Sequence, residues 1–297
     1  MTENRFFRVR VAAITDLTPS FRRFTFTAHD LAHYGDPGYD QRIKIVFPTV
    51  TAGLNAMPAG DDWYDAWRRM ATDARPPFRT YTTRAVRRDA HEVDVDMVAH
   101  EVAGPASAWI RDARIGDEVL ILAPVHPHAG VSFGIDFVPP ARTDTYLLAG
   151  DETAAPAIAV ILEQLPADAC GTVVLEVPHT ADVAYLPRHP GFQYRVAARA
   201  GDRHAHLVPA TKDAAAVLVP PGRGGEVEEV DIDQTLLWEV PRTAKGGAAL
   251  KSAPLYAWLA GEAGAIKQLR RHLVAEHGVD RRAIAFMGYW RLGRPEV

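Results

Sequence analysis

The hydrophobic pattern of this 297-residue chain changes near residue 143, and this change limits the folds that the chain can adopt. Before that point, apolar and polar residues alternate over short stretches, as in HEVDVDMVA (91–99). After it, continuous apolar runs such as TYLLAG (145–150) are followed by stretches with helical spacing. Alternation with period two is typical of antiparallel strands with one buried face, whereas continuous runs indicate a parallel sheet covered on both faces. The sequence therefore predicts two domains of different class.

Six strand-like segments separated by turns predict an N-terminal six-stranded antiparallel β-barrel. These segments are residues 5–14, 21–28, 42–48, 80–88, 91–99 and 118–124. A loop with one short helix interrupts them at 57–77, and Trp63 and Trp67 lie four positions apart in that helix. Residues with this spacing share one helical face, so we expect the helix to cap the barrel.

The second half of the chain alternates strands with helices, which predicts a C-terminal open, mostly parallel α/β sheet. Its predicted strands are residues 145–150, 171–177, 255–261 and 283–290. Two prolines in FVPPART (137–143) break the pattern, so we place the domain boundary there and expect domains at 1–143 and 144–297. The stretch 200–253 supports no assignment of elements.

Composition and charge exclude several kinds of protein. The net charge of −4 offers no general attraction to nucleic acid or to an anionic membrane. A single cysteine, Cys170, excludes an internal disulfide and an iron–sulfur cluster with cysteine ligands. The N-terminus lacks the apolar core of a secretory signal, and no apolar run reaches the ~18 residues of a membrane span. We expect a soluble, cytoplasmic protein, most simply a monomer.

Two strand-to-helix turns in the second half share the order strand, Ala-Gly, acidic residue, helix. They are LLAGDETAAP (147–156) and WLAGEAGA (258–265), and neither contains the GxGxxG fingerprint of dinucleotide-binding folds. A third turn, HEVAGPASAWI (100–110), begins a helix at Gly104 and Pro105, where backbone N–H groups can hold a pyrophosphate. Cofactor binding and the ordinary need for small or helix-starting residues at such turns are alternatives at this point.

The stretch RPPFRTYTTR (75–84) combines an aromatic ring, hydroxyl groups and positive charge. Alternate residues of a strand share a face, which places Arg79, Tyr81 and Thr83 on one face and Thr80, Thr82 and Arg84 on the other. A tyrosine ring can stack on a flat heterocycle, and arginine pairs with phosphate through charge-assisted hydrogen bonds. The order Arg-x-Tyr-Thr resembles the flavin-binding signature of ferredoxin-reductase-like flavoproteins.

Five motifs, taken together and in order, resemble the siderophore-interacting protein family. They are RPPFRTYTTR, HEVAGPASAWI, LLAGDETAAPAIAVILEQLP, YAWLAGEAGAIKQLRRHL and FMGYWRLGR. Members of that family are FAD-dependent ferric-siderophore reductases that use NAD(P)H. The resemblance covers nearly the whole chain and is weak between residues 200 and 253. It implies an FAD-binding barrel followed by an NAD(P)H-binding α/β domain.

The resemblance also implies the residues of two cofactor sites. FAD would contact Arg79, Thr80, Tyr81, Thr82, Thr83, Arg84, Met97, Val98, His100, Gly104, Pro105, Ala106, Ser107 and Trp109. NAD(P)H would contact Gly150, Asp151, Glu152, Thr153, Ala154, Ala260, Gly261, Glu262 and Ala263, and the cofactor set ends with Tyr289 and Trp290. No side chain is assigned a catalytic role, because the flavin carries the chemistry. The sequence does not distinguish NADH from NADPH.

The implied substrate is a ferric siderophore, a small molecule whose oxygen ligands hold iron(III) far better than iron(II). Reduction would therefore release the iron without a protein ligand to the metal. Lys44, Lys267 and Arg291 are candidates for a basic docking surface, with ordinary solvated surface charge as the alternative for each. We interpret the histidine pairs of HPH (126–128) and HAH (204–206) as solvated loop residues rather than metal ligands.

Two other functions stay open on the sequence. One is a general FAD-dependent NAD(P)H electron-transfer reductase with another acceptor, which gains little support because the chain holds no iron–sulfur relay. The other is a non-catalytic flavin- or siderophore-binding protein, which would not need the two Ala-Gly-acid turns. The sequence therefore favours a flavin-dependent NAD(P)H:ferric-siderophore reductase.

Overall fold

The computed structural model describes residues 4–99, 104–126, 134–219, 222, 230–232 and 237–293. Its contacts divide the chain into two compact units. The first unit comprises Met1–Leu17, Phe21–Pro37 and Gln41–Gly134. The second unit comprises Thr18–Ser20, Gly38–Asp40 and Ile135–Val297. The long segment of the second unit thus begins before the boundary that the two prolines suggest. Of the helices in the described ranges, none is long and apolar enough to cross a membrane.

The first unit is a curled antiparallel sheet, which in the described residues has seven strands rather than the expected six. Its strands are β1 (Asn4–Asp16), β2 (Phe21–Thr27), β3 (Arg42–Val46), β4 (Phe78–Thr82), β5 (Ala85–Arg87), β6 (Glu92–Val98) and β7 (Glu118–Pro124). They are hydrogen-bonded in the order β4-β3-β7-β1-β2-β6-β5. The antiparallel class of this sheet is as predicted, and the strand count is corrected.

The additional strand arises because the predicted segment 80–88 changes partner in its middle. Thr82 pairs with Arg42 of β3, and two residues later the Arg84 N–H donates to the Asp94 carbonyl oxygen of β6 at 2.9 Å. One continuous piece of chain therefore forms both edge strands of the sheet, β4 and β5. The sheet curls because its first and last strands are joined by only two residues of chain, at positions 83 and 84.

Two helices pack on opposite faces of this sheet. Helix α2 (Pro105–Asp112) buries Ala106 and Ile110 against the interior core, and the Trp109 ring lies 5.2 Å from that of Phe24. Helix α1 (Trp63–Arg69) buries Trp67 in a separate cluster with Val46, Phe78 and Leu120. Ile43 and Ile45 face the interior while Val46 belongs to the outer cluster, so α1 covers the outer face and does not fill the interior.

The second unit is a mixed α/β sheet, which in the described residues has six strands. They are β8 (Arg142–Asp151), β9 (Gly171–Val177), β10 (Phe192–Ala198), β11 (Trp238–Glu239), β12 (Ser252–Glu262) and β13 (Ile284–Trp290). Their order is β10-β9-β8-β12-β13-β11, with β11 antiparallel to β13 and the other neighbouring pairs parallel. This confirms the open, mostly parallel sheet, and adds β10 and β11 to the predicted strands.

Three helices cover this sheet: α3 (Ala155–Gln164), α4 (Leu207–Leu218) and α5 (Ala263–Arg270), which continues into a π-helical turn at Arg271–Glu276. Every residue of α3 from Ala155 to Leu162 is buried, as expected of a helix that is apolar on all sides. Helices α4 and α5 share one core with alternate residues of the central strands, including Leu147, Leu259 and Phe286. Helix α4 lies within residues 200–253, where no element was predicted.

Two fully buried carboxylates hold the short N-terminal segments of the second unit. Asp40 accepts the backbone N–H groups of Asp136 and Phe137, both at 3.0 Å, and the Trp258 indole N–H at 2.9 Å. Asp182 accepts the backbone N–H and the hydroxyl of Ser20, at 3.0 and 2.7 Å. Because an unpaired buried carboxylate is strongly unfavourable, these donors fix where both segments lie.

Asp40 makes the stability of the folded chain depend on pH. Burial, assisted by the nearby Asp136 charge, raises the pKa of Asp40 to about 6, although its N–H donors oppose this. The folded pKa exceeds the unfolded one, so the contribution to stability is present below about pH 4 and is lost as the pH rises through 6. Between pH 5 and pH 7 the wild-type chain should therefore lose about 1 kcal/mol of unfolding free energy relative to Asp40→Asn.

Urea unfolding of both proteins at several pH values measures this difference. The variant should be less stable throughout, because its amide N–H groups face the Trp258 indole donor, but its curve should be flatter. Parallel pH curves for the two proteins would show that Asp40 keeps its charge in the folded state over this range.

Candidate functional site

The Arg-x-Tyr-Thr signature of the first unit, residues 79–82, lies on β4. Thr83 and Arg84 follow it in the turn into β5. Arg79 and Tyr81 are opposite Ile45 and Ile43 of β3, whose side chains face the interior core. The Tyr81 ring is partly buried against that core and meets the Phe47 ring edge-on at 6.4 Å. Arg79 is also partly buried, and its guanidinium donates to the Phe78 carbonyl oxygen at 2.7 Å. Both side chains thus lie on the interior face of β4, which is an edge strand of the sheet.

The three threonines of the stretch RPPFRTYTTR have different surroundings. Thr80 is exposed, whereas Thr82 and Thr83 are buried. The Thr83 hydroxyl forms a hydrogen bond of 2.9 Å with the Tyr34 hydroxyl inside the first unit. The sequence placed Thr83 among the FAD contacts, but this hydroxyl is engaged with the core of the protein itself.

Arg84, the last residue of the stretch RPPFRTYTTR, is held by a buried carboxylate. Its Nε lies 3.4 Å from Asp96 Oδ2, and the Asp96 side chain is fully buried. Arg23 forms a two-pronged pair with the same carboxylate, at 2.7 and 2.8 Å. Two permanently charged guanidinium groups therefore share one buried carboxylate, which holds Arg84 at the turn between β4 and β5.

The start of α2 has no side-chain cap among the described residues. Pro105 is the first helical residue, and in the described part of the chain no side chain caps the preceding Gly104. A Cβ at Gly104 would meet no atom within 4 Å, so the helix start borders open space. The N–H groups of Ala106 and Ser107 have no acceptor within the helix, and such groups suit a phosphate. The residues present therefore fit the pyrophosphate of FAD.

Of the remaining predicted FAD residues, Met97 belongs to the interior core that α2 covers, Trp109 packs against that core, and Val98 ends β6. Met97 and Val98 are the last two residues of β6, and Met97 is fully buried while Val98 is nearly so. Trp109 packs on the interior core through its contacts with Phe24 and Phe47. Any contact of Met97 with a ligand would therefore use backbone atoms. His100 lies outside the described residues.

In the second unit, Asp151 joins the carboxyl ends of three neighbouring strands. Its side chain is fully buried at the end of β8. Oδ2 accepts the Glu262 backbone N–H of β12 and the Trp290 indole N–H of β13, both at 2.9 Å. Oδ1 accepts the backbone N–H and the hydroxyl of Thr153. The predicted NAD(P)H residues of the two Ala-Gly-acid turns are thus brought together with the C-terminal Trp290.

The two glycines of these turns are required by packing within the protein. A Cβ at Gly150 would lie 2.5 Å from both the Ala154 Cβ and the Ala260 carbonyl oxygen. Gly261 has φ +149°, and a Cβ there would lie 2.7 Å from Asp151 Oδ2. Ala154, Ala260 and Ala263 are buried as well. The ordinary structural explanation therefore suffices for both glycines, and replacing either would disturb the fold before it tested cofactor approach.

Glu152 and Glu262 are also buried and bonded internally. Glu152 pairs with Arg199 at 2.5 Å and lies 3.4 Å from Arg203. Burial and the Asp151 charge raise the pKa of Glu152, against the opposing effect of Arg199. Glu262 caps α5 by accepting the Ala265 N–H at 3.0 Å. The carboxylates at this edge therefore organise the protein, which leaves backbone atoms and aromatic rings to meet a dinucleotide.

Sequence reasoning missed the loop that follows β10. Arg199 also donates to Glu176, at the end of β9, and the Arg203 guanidinium lies 5.3 Å from the centre of the Trp290 ring. Burial opposes ionisation of Glu176, but the backbone N–H groups that it accepts from residues 204, 206 and 207 outweigh burial and lower its pKa. Glu176, the acidic residue within the apolar run VVLEV, was the available signal, whereas the loop lies in the stretch without local pattern.

The prediction that the HAH histidines are solvated is wrong. The His204 side chain is only 12% exposed and its ring lies 6.3 Å from that of Trp290. The His206 ring nitrogen Nε2 lies 3.1 Å from the Arg195 carbonyl oxygen. His126 is described and His128 is not. Within the described ranges, no group of three or more histidine, cysteine, aspartate or glutamate residues is placed to hold a metal ion.

The three predicted substrate residues are distributed over both units. Lys44, in the first unit, is partly buried, with its ammonium 4.8 Å from the centre of the Phe78 ring. Lys267 lies on α5 of the second unit and is partly buried. Arg291 follows β13 and donates to the Ile232 carbonyl oxygen at 2.8 Å. Tyr289, the other aromatic residue of the C-terminal motif, stacks on Trp238 at 5.6 Å.

Comparison with known proteins places this site in a family. Residues 10–128 match the siderophore-interacting FAD-binding domain, and residues 143–293 match the siderophore-interacting protein model. An uncharacterized protein of Mycobacterium tuberculosis is 32% identical over 259 residues, which is 86% of this chain and 80% of that protein. The ferric vibriobactin reductase ViuB of Vibrio cholerae is 27% identical over 274 residues, 92% of this chain and 85% of that protein.

A solved structure supports the same assignment. The siderophore-interacting protein SipS from Aeromonas hydrophila superimposes with a TM-score of 0.69 at 28% identity, covering 98% of this chain and 94% of that chain. The resemblance drawn from the five motifs is confirmed. The chain belongs to the siderophore-interacting protein family, whose FAD-binding domain model it matches in its first half.

Proposed function

We propose that the protein is an FAD-dependent NAD(P)H:ferric-siderophore reductase, with the FAD domain at 1–143 and the NAD(P)H domain at 144–297. The observation that carries the proposal is the first unit's combination of a stacking ring at Tyr81, arginines at 79 and 84, and an uncapped helix start at Gly104. ViuB, a relative over most of the chain, is a ferric vibriobactin reductase by name. Family, fold and site geometry therefore support one function.

The residues of the first unit bind and orient the cofactor in this proposal. Backbone N–H groups at the start of α2 hold the pyrophosphate, and Arg79 and Arg84 supply positive charge. Tyr81 offers its ring for stacking. Bound FAD supplies the conversion of a two-electron hydride donor into single electrons for iron(III). Because that chemistry belongs to the cofactor, the chain has to bind and orient FAD and to exclude water. It does not have to provide an acid or a nucleophile.

The second unit binds the nicotinamide donor at the carboxyl ends of its strands, where open parallel sheets bind their ligands. Asp151 fixes the Trp290 indole, and the backbone of the two Ala-Gly-acid turns lies beside it. Lys44, Lys267 and Arg291 attract the ferric complex, which is an anionic substrate in many siderophore classes. The iron is substrate and needs no ligand from the protein.

One anaerobic experiment tests the whole proposal. The purified protein should bind FAD, and its yellow colour should bleach with NADH or NADPH. A ferric siderophore added next should restore the oxidised flavin spectrum and release iron(II) to a colorimetric chelator. Bleaching without reoxidation by ferric siderophores, but with reoxidation by another acceptor, would identify a general reductase. Absence of bleaching by either donor would identify a binding protein.

The FAD site is tested by Arg79→Ala and Tyr81→Ala. A charge-assisted contact is worth about 1.5–3 kcal/mol, so we expect the dissociation constant for FAD to rise about ten- to hundredfold in Arg79→Ala. The loss of stacking should raise it in Tyr81→Ala as well. Titration of the apoprotein by flavin fluorescence measures both. Arg69→Ala, at an exposed position of α1, is the matched control and should bind FAD normally. Wild-type affinity in both test variants would remove the signature from the site.

The attraction of the ferric complex by basic residues of each unit is tested by the double variant Lys44→Gln/Lys267→Gln. We expect a higher KM for an anionic ferric siderophore and a weaker dependence of the rate on salt, because steering is screened over ~10 Å at 0.1 M salt. Flavin reduction by NAD(P)H should change little. The double variant Lys245→Gln/Lys251→Gln removes the same charge from exposed positions and is the control. Equal KM values at low salt for the two double variants would show that the acceptor docks elsewhere.

A further inference from the structure

We propose that Tyr34 is a positioning residue for FAD, because its buried hydroxyl holds the turn through which β4 passes into β5. The inference rests on the proposed FAD site and adds a residue that acts on the cofactor only through its hydrogen bond to Thr83. Tyr34 lies outside every motif of the sequence and between β2 and β3. Its partner, Thr83, directly follows the flavin signature at residues 79–82.

The hydroxyl of Tyr34 lies among apolar side chains. Tyr34 is fully buried, belongs to the interior core of the first unit, and has its ring 5.3 Å from that of Phe7. Its hydroxyl and the Thr83 hydroxyl are 2.9 Å apart. Burial raises the pKa of Tyr34, so the group stays a neutral hydroxyl. A buried hydroxyl is unfavourable unless it is hydrogen-bonded, so a phenylalanine would serve packing alone at least as well.

The backbone of Tyr34 is itself fixed, which makes it a firm support. Residue 34 forms a bridge with Val125, and the Arg88 guanidinium donates to the Tyr34 carbonyl oxygen at 3.0 Å. The ring is enclosed by the core, so the hydroxyl has little freedom to follow a moving partner. A displacement of Thr83 would therefore break this hydrogen bond rather than carry Tyr34 with it.

Thr83 lies at the point where the chain changes from one edge of the sheet to the other. Its N–H donates to the Gln41 carbonyl oxygen at 3.0 Å, and the next N–H, of Arg84, donates to Asp94 at 2.9 Å. The Tyr34 hydroxyl adds a third hydrogen bond, from the interior core. The turn is therefore held by three partners: Gln41, Asp94 and Tyr34. No glycine or proline fixes its backbone. The turn therefore depends on these partners for its shape.

Loss of the Tyr34 hydroxyl would leave the Thr83 hydroxyl buried without this partner. Rotation of Thr83 would relieve that penalty and would shift Thr82 and Arg84 on either side of it. Ligand contacts are sensitive to such shifts, since a misplacement of about 1 Å can cost a hundredfold in a well-fitted site. The hydroxyl thus acts on FAD through the geometry of its neighbours.

The experiment compares Tyr34→Phe with Thr83→Val. Each should raise the FAD dissociation constant about five- to tenfold, the factor for a hydrogen bond of typical net strength. The double variant should bind no more weakly than either single variant, because both remove one interaction. Tyr256→Phe is the matched control: this fully buried hydroxyl contacts the Val138 N–H at 2.9 Å in the second unit. It should lower stability and leave FAD affinity unchanged.

The possible results separate the proposals. Wild-type FAD affinity in Tyr34→Phe, with a melting temperature lowered as in Tyr256→Phe, would overturn the inference and leave the FAD site intact. Additive effects in the double variant would also overturn it, since Thr83 would then contact FAD directly. If Tyr34→Phe does not fold, Thr83→Ser and Thr83→Val decide: only the valine variant should lose affinity. A wild-type protein without FAD affinity would instead contradict the proposed function.

Discussion

The buried carboxylate of Asp151 is the interaction on which the arrangement of the second unit's candidate site depends. A desolvated carboxylate is stable only with a full set of donors, and Asp151 draws them from β12, β13 and the start of the turn after β8. The three strand ends therefore have one relative position. Gly261 has to lack a side chain because Asp151 occupies that space. Gly261 of the second Ala-Gly-acid turn is thus explained by one buried charge, whereas Gly150 is required by its contacts with Ala154 and the Ala260 carbonyl oxygen.

Periodicity was sufficient to predict the class of each sheet but not its edges. The central strands β8, β9, β12 and β13 are apolar because both faces are covered, and the sequence shows this directly. Strand β10 was not predicted, because it lies at an edge of the sheet and Phe192 is its one buried residue. The split of residues 80–88 into β4 and β5 also escaped, since Thr83 and Arg84 carry no turn signal. Their change of partner is set by Gln41 and Asp94, which are distant in sequence.

The candidate site was predicted in its motifs and not in its supports. Arg84 was proposed as an FAD contact because it stands two residues after the recognisable order Arg-x-Tyr-Thr at 79–82. Asp96 and Tyr34, which hold that segment, were not, because each is an ordinary strand or loop residue until the fold brings it near. The same holds for Arg199, which joins Glu152 to Glu176 across two strand ends. Local sequence encodes groups that meet a ligand, whereas their partners follow from long-range pairing.

These supports bear on how a slightly acidic chain can bind an anionic cofactor. Arg23 and Arg84 both pair with the buried carboxylate of Asp96, which limits where their guanidinium groups can lie. A guanidinium that is already held gives up less side-chain freedom on binding phosphate than a mobile one. Affinity then depends on placement more than on the total charge of −4. If the FAD site is as proposed, small displacements of the turn at Thr83 should therefore change FAD affinity more than changes in overall charge do.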